Sequence, residues 1–236
     1  MEVQNSRSRS HATAGLLLLV AAVQYLALEA VAAAAWRHPR YSYAVNFISD
    51  LGNPVPGDVF QGRTIDSPLH LLMDLAFLTQ GALFIAATAL VYRSLEGRKA
   101  KAVLVLALIH GIGVGMVGLF PESAAALTNG VIIAHSVGAI GAIVGGNVLL
   151  LVSAAGDRQL GAPTWHKALG ITLGVIGLAA FALLQADHTL YVAAGGVPER
   201  IAVYTIVAWE AVTGVSLLRA ATTSAVLGTK DGISTA

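Results

Sequence analysis

Six long apolar stretches constrain this chain more than any other feature. They run over Ala12–Trp36, Pro68–Tyr92, Ala102–Phe120, Val131–Ser153, Ala168–Ala186 and Ile201–Ala220. An α-helix needs about 20 apolar residues to cross the hydrocarbon core of a bilayer, and each stretch is of that order. Lipid offers a backbone no hydrogen-bond partners, so such segments must satisfy their own peptide groups, which a helix does. The composition agrees: 56% of residues are hydrophobic, 11% are charged and the mean hydropathy is +0.73. The expected fold is all-α, a single integral membrane domain over 1–236 built as a six-transmembrane-helix bundle, with 1–11 and 221–236 as tails.

The first stretch has a rival reading as a secretory signal, because Arg7 and Arg9 precede it and AVAAAA offers a cleavage site. Signal cores run about 7–15 residues. This stretch is longer and carries Glu29, so it reads as an uncleaved anchor. Arg7, Arg9, Arg93, Arg98, Lys99, Lys101, Arg158, Lys167, Arg219 and Lys230 fall on one side of the alternating spans, ten of the 14 Lys and Arg. The opposite side has Arg37, Arg40, Arg63 and Arg200. Cationic loops stay in the cytoplasm. The expectation is therefore a multi-pass protein of the cytoplasmic membrane, N-in and C-in, with the long connection 37–67 facing outward.

Glycines concentrate in the middle spans. Gly111, Gly115 and Gly118 share a face of the third, Gly141 and Gly145 a face of the fourth, and Gly170, Gly174 and Gly177 a face of the fifth. Small-residue faces let helices approach closely where no hydrophobic effect draws them together. They also suit contacts between copies, through Gly111/Gly115 or Gly141/Gly145. Gly113, Gly115 and Gly118 match the dinucleotide pattern G-x-G-x-x-G, which carries meaning only between a strand and a helix. Inside a spanning helix it is packing.

Several chemistries drop out. A net charge of +1 gives no basis for a nucleic-acid partner, and zero cysteines remove disulfides, thiolate metal sites and thiol nucleophiles. No zincin, Walker or nucleophile-elbow motif is present. What remains is a set of ionisable residues in costly places, since a charge at the bilayer centre costs about 2.5–3.5 kcal/mol on insertion scales. Near the outward end lie Asp50, His70, Asp74, Glu122, His135, Asp187, His188, Glu199 and Arg200. Deeper sit Glu29, Gln80, His110, Asn147 and Glu210. Every outward connection contributes an acid with a histidine or arginine within a turn or so, whereas the cationic connections are short and basic and lack a comparable acid–histidine pairing.

Individual residues keep structural readings beside these. Asp50 in S-D-L-G either caps its own turn or points at Glu122 and His135; Asx side chains readily bond nearby amides. Ser67 followed by Pro68 fits a helix N-terminus. Glu199 and Arg200 fit an interfacial ion pair.

The run Y-S-Y-x-x-N-F-I-S-D-L-G-N-P (41–54), Ser67-Pro68, G-L-F-P-E (118–122), His135 and Glu199-Arg200 together resemble an uncharacterised six-helix membrane family of bacteria and archaea, domain-of-unknown-function family 998. The resemblance covers most of the chain. It implies fold and membrane location and no activity. Asp187-His188 and Glu210 lie outside the pattern.

Three functional readings follow. The first is a pocket at the outer interface that binds or processes a lipid or other amphiphile. Asp50, Glu122 and His135 form its polar, candidate catalytic floor, and Ser49, His70, Asp74, His188, Glu199 and Arg200 are candidate contacts. If a divalent metal serves as cofactor, Asp50, His135 and His188 are the candidate ligands, as imidazole and carboxylate suit such ions. The second is a small proton-coupled carrier using Glu29, His110 and Glu210. The third is a non-catalytic scaffold or assembly factor.

Overall fold

The computed structural model describes residues 2–93, 97–154 and 163–233, with side chains over 7–93, 97–154 and 163–223. Arg158 and the side chain of Lys230, both counted for orientation, lie outside these described residues, as does the end of the C-terminal tail. Six helices among them are long and apolar enough to span a bilayer. They are α1 (Glu2–Ala35), α2 (His70–Tyr92), α3 (Gly97–Leu119), α5 (Val131–Ala154), α6 (Thr164–Ala186) and α8 (Gly196–Ile233). Two short helices, α4 (Ala124–Asn129) and α7 (His188–Ala194), lie in the connections at one end.

The spans follow one another around a closed ring. Each packs against its neighbours in sequence, α1 on α2, α2 on α3, α3 on α5, α5 on α6 and α6 on α8, and α8 returns against α1. Short connections between antiparallel neighbours give this order without crossing loops. Backbones come close at glycines. A Cβ on Gly113 of α3 would lie 2.6 Å from the carbonyl oxygen of Gly138 on α5, and one on Gly111 would lie 2.7 Å from that of Gly81 on α2. Gly174 meets the Asn147 carbonyl of α5 in the same way, at 2.8 Å. The glycine faces of α3, α5 and α6 therefore seat helices of the same chain. Leu71, Ile112 and Ile133 face outward from the ring, as expected of lipid-facing positions.

The connection between α1 and α2 carries most of the irregular structure. Ser49–Gly52 forms a 3-10 turn, and β1 (Val59–Phe60) pairs antiparallel with β2 (Arg63–Thr64). Gln61 and Gly62 close that hairpin with φ of 47° and 82°. Left-handed conformation at both central residues is the turn whose twist matches a two-residue hairpin, and glycine adopts it without strain. Paired residues share a face, so Phe60 and Arg63 are both buried while Val59 and Thr64 are not. Asp66 accepts the amides of Arg37 and His38 at 3.0 and 2.9 Å, tying the segment to the end of α1. Those two bonds hold the Asp66 carboxyl below its ordinary range.

Two details differ from the sequence reading. α2 begins at His70, because the Ser67 hydroxyl donates to the Leu51 carbonyl at 2.5 Å instead of capping the helix. Asp187 does not simply end α6: its carboxylate accepts the Leu190 amide at 3.0 Å and so caps α7.

Candidate functional site

The 3-10 turn places Asp50 in the interior, where it is fully buried. Its Oδ2 accepts the Phe47 amide at 2.9 Å and the Asn46 side-chain amide at 3.3 Å, so it ties the turn back to the residues just before it. Both its oxygens also receive Arg63, Nε at 2.8 Å and Nη2 at 3.0 Å. This bidentate arrangement is the geometry a guanidinium forms best with a carboxylate. Gly52, two residues on, allows the turn to sit on α2: a Cβ there would lie 2.6 Å from Oδ1 of Asp74.

Arg63 extends the cluster. Its Nη2 lies 3.8 Å from Oε1 of Glu122, which follows α3. The guanidinium also stacks over Phe47, 4.3 Å from the ring centre. Burial opposes its charge, but hydrogen bonds and attraction from Asp50, with Glu122 adding, hold it protonated above its ordinary range. Removing one partner from such a buried pair costs about 3–5 kcal/mol, since the other charge is left uncompensated.

Glu122 faces His135 of α5, with Oε2 at 3.5 Å from Nε2. His135 Nδ1 lies 2.9 Å from the Phe120 carbonyl, an acceptor only, so Nδ1 carries the ring proton and Nε2 presents a lone pair in the neutral ring. Burial first, then the charge of Asp50, pushes the Glu122 carboxyl well above the usual range. Arg63 and Asp50 neutralise each other, and Glu122 is left as a proton carrier beside an imidazole lone pair. That is the arrangement general acid–base chemistry uses.

Two spaces with some lining residues in common border this cluster. An open groove at the loop end, about 1730 Å³ counting space open to solvent, is lined by Ser49, Phe60, Glu122, Ser136, His188, Tyr191 and other residues. A second, narrow cleft, about 570 Å³ counting space open to solvent, is lined mainly by apolar side chains such as Phe77, Val114, Val117, Ile206 and Val207. Ser49, His135, Ala139, Ile143 and Glu199 line both. His110 of α3 lines the cleft alone. Helices α1, α2, α3, α5 and α8 all contribute, so the ring topology creates the cleft.

The remaining sequence candidates are dispersed, some at the edge of these spaces and some away from them. Arg200 lines neither space. It donates from Nε to Glu29 at 3.1 Å, from Nη1 to the carbonyls of Tyr43, Asn46 and Gly196, and from Nη2 to the Tyr41 hydroxyl. Tyr204 donates to the other Glu29 oxygen at 2.8 Å. Glu199 takes the Ile48 amide at 2.6 Å, so the hydrogen bonds of these adjacent residues go to different partners. His70 and Asp74 approach at 3.7 Å across one helical turn, away from both spaces. Glu210 receives the Gln80 amide on both oxygens, at 2.8 and 2.7 Å. No hydrogen bond or ion pair joins Glu29, His110 and Glu210. His188 is exposed at the groove rim. Among the described residues no three His, Cys, Asp or Glu gather as a metal set. Asp50, proposed as a ligand, has both oxygens occupied by Arg63.

Arg63 is the member that sequence reasoning placed only as an outward cation. A usable signal was present in V-F-Q-G-R-T, where a glycine at the second turn position closes a hairpin and puts Arg63 on the same face as Phe60.

These features define a six-span helical membrane protein with a buried polar cluster at the end carrying its longest connection. Over residues 8–216 the chain matches the family described as protein of unknown function (DUF998), and it belongs to that family. No curated protein and no solved structure matches it.

Proposed function

We propose that this protein binds a lipid or other amphiphile from the outer leaflet of the cytoplasmic membrane, with both termini in the cytoplasm. The carrying observation is the shared lining: the groove, which holds Glu122, Ser136 and His188 among apolar neighbours, and the apolar cleft have Ser49, His135 and Glu199 in common. An amphiphile needs such a site, with its polar head in the groove and its chain in the cleft. Ligand sites generally pair an apolar wall with a few placed polar groups. Glu122 and His135 would then handle a proton on the bound head, which is the step that processing of the ligand would require. The orientation rests on the cationic residues at the end opposite the groove.

The carrier reading draws no comparable support, since Glu29 is held by Arg200 and Tyr204, and Glu210 by Gln80. Nor does the scaffold reading, because the glycine faces already pack within the chain.

Ala139→Trp adds bulk to the lining common to the two spaces without touching Glu122. Wild-type protein purified in mild detergent is expected to retain amphiphile at near one per chain by mass spectrometry, and the variant to lose most of it. Equal lipid content in the two proteins, with both folded, would remove the basis of the reading.

A further inference from the structure

His110 is the residue this pocket leaves unexplained. It lies in the third spanning helix, is buried and lines the narrow cleft. Its Nδ1 sits 2.7 Å from the Ala142 carbonyl, so that nitrogen is the donor and Nε2 is a bare lone pair. Nε2 is buried and has no hydrogen-bond partner. Around the ring stand apolar groups: Phe84 edge-on at 4.6 Å, Val114 one turn along the same helix, Ala142 and Ile206. Leaving a buried acceptor unpaired costs about 1–3 kcal/mol. A lone water would need two to four polar partners to settle there, and these side chains offer none.

We propose that the cleft is completed by an uncharged hydroxyl carried on the apolar chain of the bound amphiphile, which donates to Nε2 of His110. This deepens the amphiphile-binding reading and rests on it. The groups packed around His110 are apolar and disfavour an ionised group there, while the titratable residues of the cleft, His135 and Glu199, belong to the lining it shares with the groove. A hydroxyl on an apolar body satisfies the lone pair and otherwise makes only van der Waals contact. The donor requirement separates this ligand class from hydrocarbons, ethers and esters, which can accept a hydrogen bond but cannot give one.

The test compares 1-dodecanol with its methyl ether, which keeps the chain and the oxygen but lacks the donor. Binding to full-length protein in nanodiscs is measured by calorimetry, for wild type and for His110→Phe, which keeps an aromatic ring and removes the acceptor. The alcohol is expected to bind wild type about three- to tenfold tighter than the ether, the range of one neutral hydrogen bond. The two should bind His110→Phe equally. Nitrogen NMR of histidine-labelled wild type adds an independent reading, since one imidazole lone-pair resonance should move with the alcohol and stay with the ether. Equal affinity of alcohol and ether for wild type, or a preference that survives in His110→Phe, overturns the hydroxyl contact while the pocket stands. If neither molecule binds, the amphiphile reading itself falls. Should the variant not fold, the wild-type affinity ratio and resonance shift decide alone.

Discussion

Glu122 shows how one side chain acquires a property that its type does not carry. A glutamate after Phe-Pro is an ordinary loop acid by sequence; burial next to Asp50 makes it hold its proton. The consequence for stability has a definite sign. The folded state binds the Glu122 proton more tightly than the unfolded chain does, so stability from this group is complete below the ordinary carboxylate value of 4.5 and is lost as pH rises through the folded value. Melts of detergent-solubilised wild type and Glu122→Gln, from about pH 5 to about pH 8, should show wild type losing stability relative to the variant as pH rises. Parallel curves would mean that Glu122 ionises normally. Asp50 posed the sharper question in the sequence, whether it caps its turn or joins the cluster. It joins the cluster and also binds the residue before its turn, because a carboxylate has lone pairs enough to accept the Phe47 amide and Arg63 together.

At the level of elements, the β1–β2 hairpin sets Arg63. Its two-residue turn fixes the register, and the register fixes which side chains face inward. Gly62 at φ 82° is the residue that a side chain would strain. Gly62→Val should therefore cost on the order of 1–3 kcal/mol locally. The helix ring, which the hairpin does not build, should keep its far-ultraviolet dichroism, while the amphiphile retained on purification should fall. Unchanged retention would show that the hairpin does not support the site. Apolar length made the spanning helices legible in the sequence, because a bilayer imposes one dominant requirement on a segment. The hairpin was not, since its four strand residues sit in a polar connection where turn chemistry competes with no periodic pattern. The two short helices were hidden for the same reason, although Ser123, which accepts the Ala126 amide at 3.1 Å, is an ordinary cap.

For the molecule as a whole, the ring order turns distant sequence segments into one site. Asp50 and Arg63 from the first connection, Glu122 from the one after α3 and His135 from α5 come together, and depth sorting brought three of the four to one level. Sequence could not show that Arg200 turns to Glu29 instead, because adjacent positions on a helix point about 100° apart and the choice of face depends on which helices flank it. The orientation in the membrane is testable without altering the site, since the chain has no cysteines. Single cysteines at Gly57 and at Arg98 should react with a membrane-impermeant maleimide from outside and only after lysis, respectively; the reverse pattern would invert the topology.

The central claim is that an amphiphile chain enters the cleft from the outer groove. Photolysis of membranes containing a long-chain amphiphile with a diazirine at its chain end, followed by peptide mapping, tests it directly. Adducts are expected on cleft residues such as Val114, Val117 and Val207, and are expected to be lost in Ala139→Trp. Adducts confined to the lipid-facing Leu71, Ile112 and Ile133, and indifferent to that substitution, would contradict it.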